Sequence, residues 1–137
     1  MALSEQVRAF LEEPRFAVLA TVNPDGTAQQ TVMWYKLDGD RIVMNTARGR
    51  WKDHNLRRDR RVSLCIEDGY RFVTISGVVE LDDDQATAQA DIAALAARYK
   101  SPDEAAAMIR DGFSKQHRIT LRLPIERVQT RGFDDQE

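Results

Sequence analysis

Residues Arg48 to Arg61 read RGRWKDHNLRRDRR, seven lysines and arginines in fourteen positions opposed only by Asp53 and Asp59. The segment carries +5, so the rest of the chain sums to −7, since the whole is −2. An acidic chain that gathers positive charge in one place is suited to holding an anion. Trp51, Asn55 and Leu56 have helical spacing, so the segment has a helix start and a helix end, and these differ physically. Arg57, Arg58, Arg60 and Arg61 lie near the C-terminus, where positive charge is favoured by roughly 0.3 to 1 kcal/mol each without any ligand. Arg48, Arg50 and Lys52 lie at the start, where free amides and the helix dipole are already positive. Cations there are unfavourable unless an anion joins them. A phosphate would accept hydrogen bonds from the amides, Arg50 and Lys52, while Gly49 lets the loop turn closely around it. Lys52 and Asn55 are spaced to share one helix face and one ligand. The alternative from charge patterning alone is a solvated basic helix.

Elsewhere, side-chain chemistry is sparse. The sequence has no phosphate-binding glycine loop, no nucleophile elbow and no cysteine or histidine spacing fit for a metal. His54 lies in the basic segment, where a solvated or capping role suits it better than catalysis, His117 opens a late strand with no acidic partner close in sequence, and neither makes a convincing general base. Asp82, Asp83 and Asp84 read as a helix start rather than a metal site. No catalytic residue is assigned. If the chain is an enzyme, a cofactor carries the reactivity.

The elements that must position the basic segment follow from periodicity and turn chemistry. A chain of 137 residues with 42% apolar and 31% charged residues fits one domain, residues 1–137, with one core. Ser4 caps a short helix through Glu12 that presents Val7, Phe10 and Leu11 on one face. A meander of three antiparallel strands follows: Arg15 to Val22, Thr27 to Leu37 after the turn Asn23-Pro24-Asp25-Gly26, and Arg41 to Thr46. The basic helix then interrupts the sheet, Val62 to Glu67 forms a fourth strand, and Tyr70 to Leu81 a long fifth with a bulge at Gly77. Two helices come next, the first capped by the aspartates and running to Tyr99, the second starting at Ser101-Pro102. A sixth strand, His117 to Gln129, has Pro124 at an edge or bulge. The expected class is α+β, a six-stranded antiparallel barrel with flanking helices, because closure removes exposed strand edges. Val32-Met33-Trp34-Tyr35 places large apolar groups on both faces of its strand, so one face calls for a cover outside the barrel, most simply a second copy in a homodimer. Cys65 cannot form an internal disulfide and sits in an alternating strand as a small structural residue. The N-terminal stretch is too polar for a signal-peptide core or a membrane span, which predicts a cytoplasmic protein.

Three stretches, NPDG before TAQQTVMWYKLDGD, NTARGRWKDHNLRRDRRVSL, and DGYRFVTISGVVEL, resemble the pyridoxamine 5'-phosphate oxidase-like split-barrel flavoproteins, and most closely the branch that uses the deazaflavin F420. The likeness runs from about Arg15 to Val128 and is most specific at R-x-K-x-x-N-L, here Arg50, Lys52, Asn55 and Leu56. It implies a homodimer with cofactors in grooves at the subunit interface. It further implies that Asn45, Arg50, Trp51, Lys52 and Asn55 approach the cofactor phosphate, that Gln29 to Val32 flank the ring, and that Tyr70, Arg71, Phe72 and Val73 contribute from the partner. The implied activity is hydride transfer between F420 and an unsaturated small molecule. FMN, with one phosphate and a flat tricyclic ring, is the alternative cofactor, and a non-catalytic F420 carrier the alternative role. A nucleic-acid partner is disfavoured by a pI near 5.7 and by the absence of a zinc-ligand or aromatic RNA-binding pattern.

Overall fold

The computed structural model describes residues 3–133, which form nine strands, four α-helices and one 3-10 turn. The strands are β1 (Ala17–Val22), β2 (Ala28–Met33), β3 (Lys36–Asp38), β4 (Arg41–Ala47), β5 (Arg61–Glu67), β6 (Phe72–Val78), β7 (Glu80–Asp82), β8 (Arg118–Pro124) and β9 (Arg127–Arg131). The helices are α1 (Glu5–Glu12), α2 (Trp51–Arg58), α3 (Gln85–Tyr99) and α4 (Pro102–Asp111). All pairing is antiparallel, in one sheet ordered β2-β1-β5-β6-β9 and another ordered β3-β4-β8-β7. The α+β class expected from the sequence holds. In place of a closed six-stranded barrel there are two sheets, and three of the six expected strands each pass from one sheet to the other.

The crossings have a common chemistry. The chain leaves β2 for β3 at Trp34-Tyr35, β6 for β7 at Val79, and β8 for β9 at Ile125-Glu126. A strand that bends between sheets loses ladder partners, and a buried amide cannot go unpaired cheaply. Each corner supplies a substitute: Tyr35 N–H donates to Tyr99 Oη at 3.1 Å, Val79 N–H to the Arg60 carbonyl at 3.0 Å, and Ile125 N–H to the Asp40 carbonyl at 2.9 Å. All three corner side chains are buried. Gly77 is not the bend. It pairs regularly with Val62, and a Cβ there would meet Leu123 Cδ1 at 3.3 Å, so its smallness makes room for the other sheet. Pro124 ends β8 opposite Arg41, where the strand leaves its sheet.

The core lies between the sheets, with Leu19, Ile42, Met44, Leu64, Ile66, Ile75, Leu121 and Leu123 among its buried members. Phe10 and Leu11 of α1 close one end, as the Ser4 cap and apolar spacing anticipated; Ser4 Oγ accepts from Val7 N–H at 3.2 Å. Tyr35 is fully buried, and its hydroxyl donates to the Leu11 carbonyl at 3.0 Å, which fastens the end of α1.

The four apolar residues that called for an outside cover find most of it within the chain. Met33 and Tyr35 are buried, and Trp34 stacks on Tyr99 at 5.4 Å with Phe113 edge-on at 6.3 Å. Val32 is left 64% exposed. Its face is the outer one of the five-stranded sheet, where Val18, Val32, Cys65 and Thr74 stand in one row by register and Val78 is also exposed. Cys65 is therefore half-buried on that outer face rather than in the core.

Tyr99→Phe keeps the aromatic stack but removes the acceptor of the Tyr35 amide. A loss of about 1 to 3 kcal/mol, the cost of an unpaired buried polar group, is expected in urea unfolding; unchanged stability would show that the corner does not depend on this bond.

Candidate functional site

The site begins where β4 runs into α2. Gly49 has φ +89°, a conformation that a glycine adopts freely, and the Arg48 amide donates to the His117 carbonyl at 2.8 Å, which ties this loop to the start of β8. Arg50 occupies the N-cap with extended backbone, and its side chain makes no capping bond. The first intrahelical bond is His54 N–H to the Arg50 carbonyl, 3.2 Å, so the amides of Trp51, Lys52 and Asp53 have no helical acceptor. Asp53, the acid of the first turn, is buried and spent locally. Its carboxylate accepts from Gly49 N–H at 2.8 Å and from Arg57 Nε at 2.9 Å.

Lys52 is 5% exposed, yet among the described residues no carboxylate pairs with it. Its pKa is lowered first by burial, then by the positive charges of Arg50 and Arg118. Arg118, the first residue of β8, is 3% exposed and likewise lacks an acid partner. Burial, and then the charge of Arg50, pull its pKa down to about 10. Asn45 stands beside it in the neighbouring strand, accepting from Arg118 Nε at 2.9 Å and donating to the Ala88 carbonyl at 3.0 Å. The structure thus joins Arg50, Lys52 and Asn45, which the sequence singled out, to Arg118, which it did not. Three neighbouring cations and a set of amides without helical acceptors, with no carboxylate of the described residues paired to those cations, are an arrangement that could hold an anion.

Residues 3–132 match the model of the family described as pyridoxamine 5'-phosphate oxidase. The chain belongs to the pyridoxamine 5'-phosphate oxidase family. Among solved structures it is similar to conserved hypothetical protein Rv2991 from Mycobacterium tuberculosis, at 30% identity, with 96% of this chain and 86% of that one covered and a TM-score of 0.78. It is similar also to an F420 reductase, at 26% identity, 93% and 98% coverage and a TM-score of 0.74. The heme storage protein HutZ from Vibrio cholerae shares the fold, with 21% identity, 97% coverage of both chains and a TM-score of 0.73.

In this member of the oxidase family the other sequence-selected residues have distinct places. Asn55 commits its amide to the scaffold: Nδ2 donates to Thr21 Oγ1 at 3.0 Å and Asn23 Oδ1 at 3.1 Å, and Oδ1 accepts from Arg58 Nη2 at 3.1 Å. It fixes α2 to the β1–β2 hairpin rather than sharing an open face with Lys52. Trp51 is exposed, with its indole N–H donating to Asn23 Oδ1 at 2.7 Å. Gln29 Oε1 accepts from Thr21 Oγ1 at 2.7 Å, so β2 meets the same hairpin network. Tyr70, Arg71, Phe72 and Val73 lie elsewhere, at the β5–β6 turn and the start of β6. That turn is separated from α2 by the seven residues of β5, about 20 Å of strand. Tyr70 is exposed, Val73 is in the core, and Arg71 pairs with Asp68 at 2.8 Å while its guanidinium lies over Phe10 at 4.9 Å. One chain does not bring these four to Lys52.

Arg57, Arg61 and the aspartate run have structural partners. Arg57 pairs with Asp53, and Arg61 with Asp59, whose pKa is lowered to about 2 by the Arg61 hydrogen bonds. Asp84 caps α3 by accepting from Thr87 N–H at 3.0 Å, and Asp82 pairs with Arg122 at 3.0 Å, so the aspartate run is a helix start as expected. Among the described residues no group of three or more His, Cys, Asp or Glu could hold a metal, and no helix is long and apolar enough to cross a membrane.

Lys52→Met removes a charge that the ligand-free fold supports poorly. It is expected to raise the melting temperature at pH 7 by roughly 3 to 5 °C, the shift that about 1 kcal/mol produces at this chain length, while abolishing stabilisation by added phosphate. The sign follows from the lowered pKa. Charged Lys52 opposes folding below its folded-state pKa, and the penalty lifts as pH rises through that value. A lower melting temperature together with retained phosphate stabilisation in scanning calorimetry would refute this account.

Proposed function

We propose that this chain is an F420-dependent oxidoreductase, a homodimer that transfers a hydride between the deazaflavin and an unsaturated small molecule. The observation that carries the reading is the buried, acid-free Lys52 beside the open start of α2. Its support on the cofactor side is the family and the similarity to an F420 reductase. The α2 amides, Arg50 and Lys52 hold the phosphate, and β2 from Gln29 to Val32 leads away from it as a flank for the ring. A bound deazaflavin supplies the hydride chemistry. The chain supplies position, exclusion of water and a fixed backbone edge. The Tyr35 hydroxyl is buried, with a pKa pushed up to about 12, chiefly by burial, and it donates to the Leu11 carbonyl, so it is not placed to deliver a proton. Arg71 is held by Asp68.

Pairing of two copies accounts for the separation of α2 from Tyr70, Arg71, Phe72 and Val73. A partner seated on the outer face of the five-stranded sheet brings its own turn to the first copy's groove and covers Val32 and Val78. FMN is the second reading, because the same cations serve its phosphate.

Titration of the purified protein with F420 and, separately, FMN tests the cofactor. F420 binding is expected, with Lys52→Ala or Arg50→Ala weakening it by roughly 1.5 to 3 kcal/mol, the range for hydrogen bonds to charged groups. Binding of FMN alone would replace the deazaflavin, and F420 binding without turnover across a panel of quinones, tetrapyrroles and other unsaturated acceptors would favour a carrier. For the dimer, Val78→Glu places a charge on the outer sheet face. Sedimentation is expected to show a monomer with weakened cofactor binding; a Val78→Glu dimer of full affinity would place the interface elsewhere.

A further inference from the structure

Arg118 is the charge that the described fold accounts for least. Its backbone is held twice by Gln85: Arg118 N–H donates to Gln85 Oε1 at 3.0 Å, and Gln85 Nε2 donates to the Arg118 carbonyl at 2.8 Å. The guanidinium is fixed by neutral groups, with Nε donating to Asn45 Oδ1 at 2.9 Å and Nη1 to Gln116 Oε1 at 2.7 Å, while Phe113 lies beneath it at 4.9 Å. Asn45 cannot turn away, because its amide nitrogen is committed to the Ala88 carbonyl at 3.0 Å and Thr120 Oγ1 at 3.4 Å. Neutral amides solvate a guanidinium but do not neutralise it, and a buried cation costs several kcal/mol until an anion faces it. The nearby acids are spent: Asp53 on Gly49 and Arg57, Asp82 on Arg122, and Asp91 on Lys36, Thr120 and Arg122. Among the described residues Nη2 of Arg118 has no hydrogen-bond partner. Among the described residues the sealed side-chain atoms without a partner are Thr46 Oγ1 and Arg98 Nε, so Arg118 Nη2 and Lys52 Nζ are not sealed off from solvent. Two side chains more than nine-tenths buried thus present unused donors beside the start of α2.

We propose that Arg118 binds an anion together with Arg50 and Lys52, that the three make one site for two negative charges, and that Asn45, Gln116 and Gln85 are its positioning residues. The proposal rests on the cofactor-phosphate reading of α2 and extends it to a residue on the far strand. The shared ligand chemistry is a phosphate with a second negative charge close by. A phosphomonoester such as that of FMN carries both charges on one group, whereas a deazaflavin brings the second from its acidic tail.

Methyl phosphate and dimethyl phosphate separate one charge from two. At pH 8 the first is a dianion and the second a monoanion. In NMR titrations of the full chain, methyl phosphate is expected to bind roughly tenfold more tightly, a difference of about 1.4 kcal/mol. Arg118→Gln is expected to weaken both ligands, the dianion more, and so to bring that ratio near unity. If the wild type binds neither phosphate nor either cofactor, the α2 reading itself fails. If Lys52→Ala loses binding but Arg118→Gln keeps the wild-type ratio, the Arg118 proposal alone fails. Should Arg118→Gln not fold, wild-type protein labelled with 15N-arginine decides. The Arg118 Nε–H, held by Asn45, is expected to shift with methyl phosphate and far less with dimethyl phosphate, and no shift overturns the proposal.

Discussion

Three like charges without a counter-charge among the described residues, Arg50, Lys52 and Arg118, are the constraint around which one end of this molecule is organised. Arg50 lowers the proton affinity of Lys52 and Arg118, Arg118 lowers that of Lys52, and Lys52 and Arg118 are almost wholly removed from water. A fold supports such an arrangement only by spending stability gained elsewhere, here in the apolar layer between the sheets. An anion that binds only the folded state returns that stability in proportion to its concentration over its dissociation constant. The surroundings are built to keep the cations in place rather than to cancel them. Asn45, Gln85 and Gln116 are neutral amides with their bonds committed, and Asp53 turns its charge toward Gly49 and Arg57.

How much of this was legible in the sequence depends on how far apart the partners lie along the chain. The start of α2 was readable because charge, spacing and helix polarity act within one turn, and Lys52 and Arg50 stand as those rules require. Asn55 lies on the expected helix with its side-chain amide committed to the scaffold. Helical spacing says which face it shares, not that Thr21 and Asn23 occupy it. Arg118 left no local signal. In Arg118, Ile119, Thr120, Leu121, Arg122 and Leu123, the apolar residues mark the core face, so the others read as solvent-facing. Alternation reports which residues face together. It cannot report that α3 will lie across the second face and turn a surface arginine into a buried one.

The same limit hid the architecture. Six strands were legible as apolar runs bounded by turns, and the Asn23-Pro24-Asp25-Gly26 hairpin formed as its chemistry demands. The three crossings were not, because period-two alternation continues through a corner while the partner sheet changes. What marks a corner is a backbone amide whose acceptor lies far off in sequence or outside the ladder, such as the Tyr99 hydroxyl for Tyr35, sixty-four residues away. The run from Val32 to Tyr35 was a real anomaly, apolar on both faces. Much of what it signalled was this corner, with α3 folded over Trp34.

The corner and the cation cluster are not independent. Gln89 of α3 donates to the Phe113 and Gln116 carbonyls at 2.8 and 3.0 Å, and Gln116 in turn holds Arg118. Phe113 lies under the Arg118 guanidinium and against Trp34, Trp34 stacks on Tyr99, and Tyr99 stacks on Phe16 at 5.7 Å while accepting the Tyr35 amide. A single packed path therefore runs from the anion-seeking charges through the α3–α4 region to the crossing of β2 into β3. Phe113 and Gln116, which touch Arg118, are among the contacts by which that helical region is held to the sheet. The α3–α4 region is thus fastened at one side to the Arg118 cluster and at the other to the Tyr35 corner, parts that the fold cannot move cheaply.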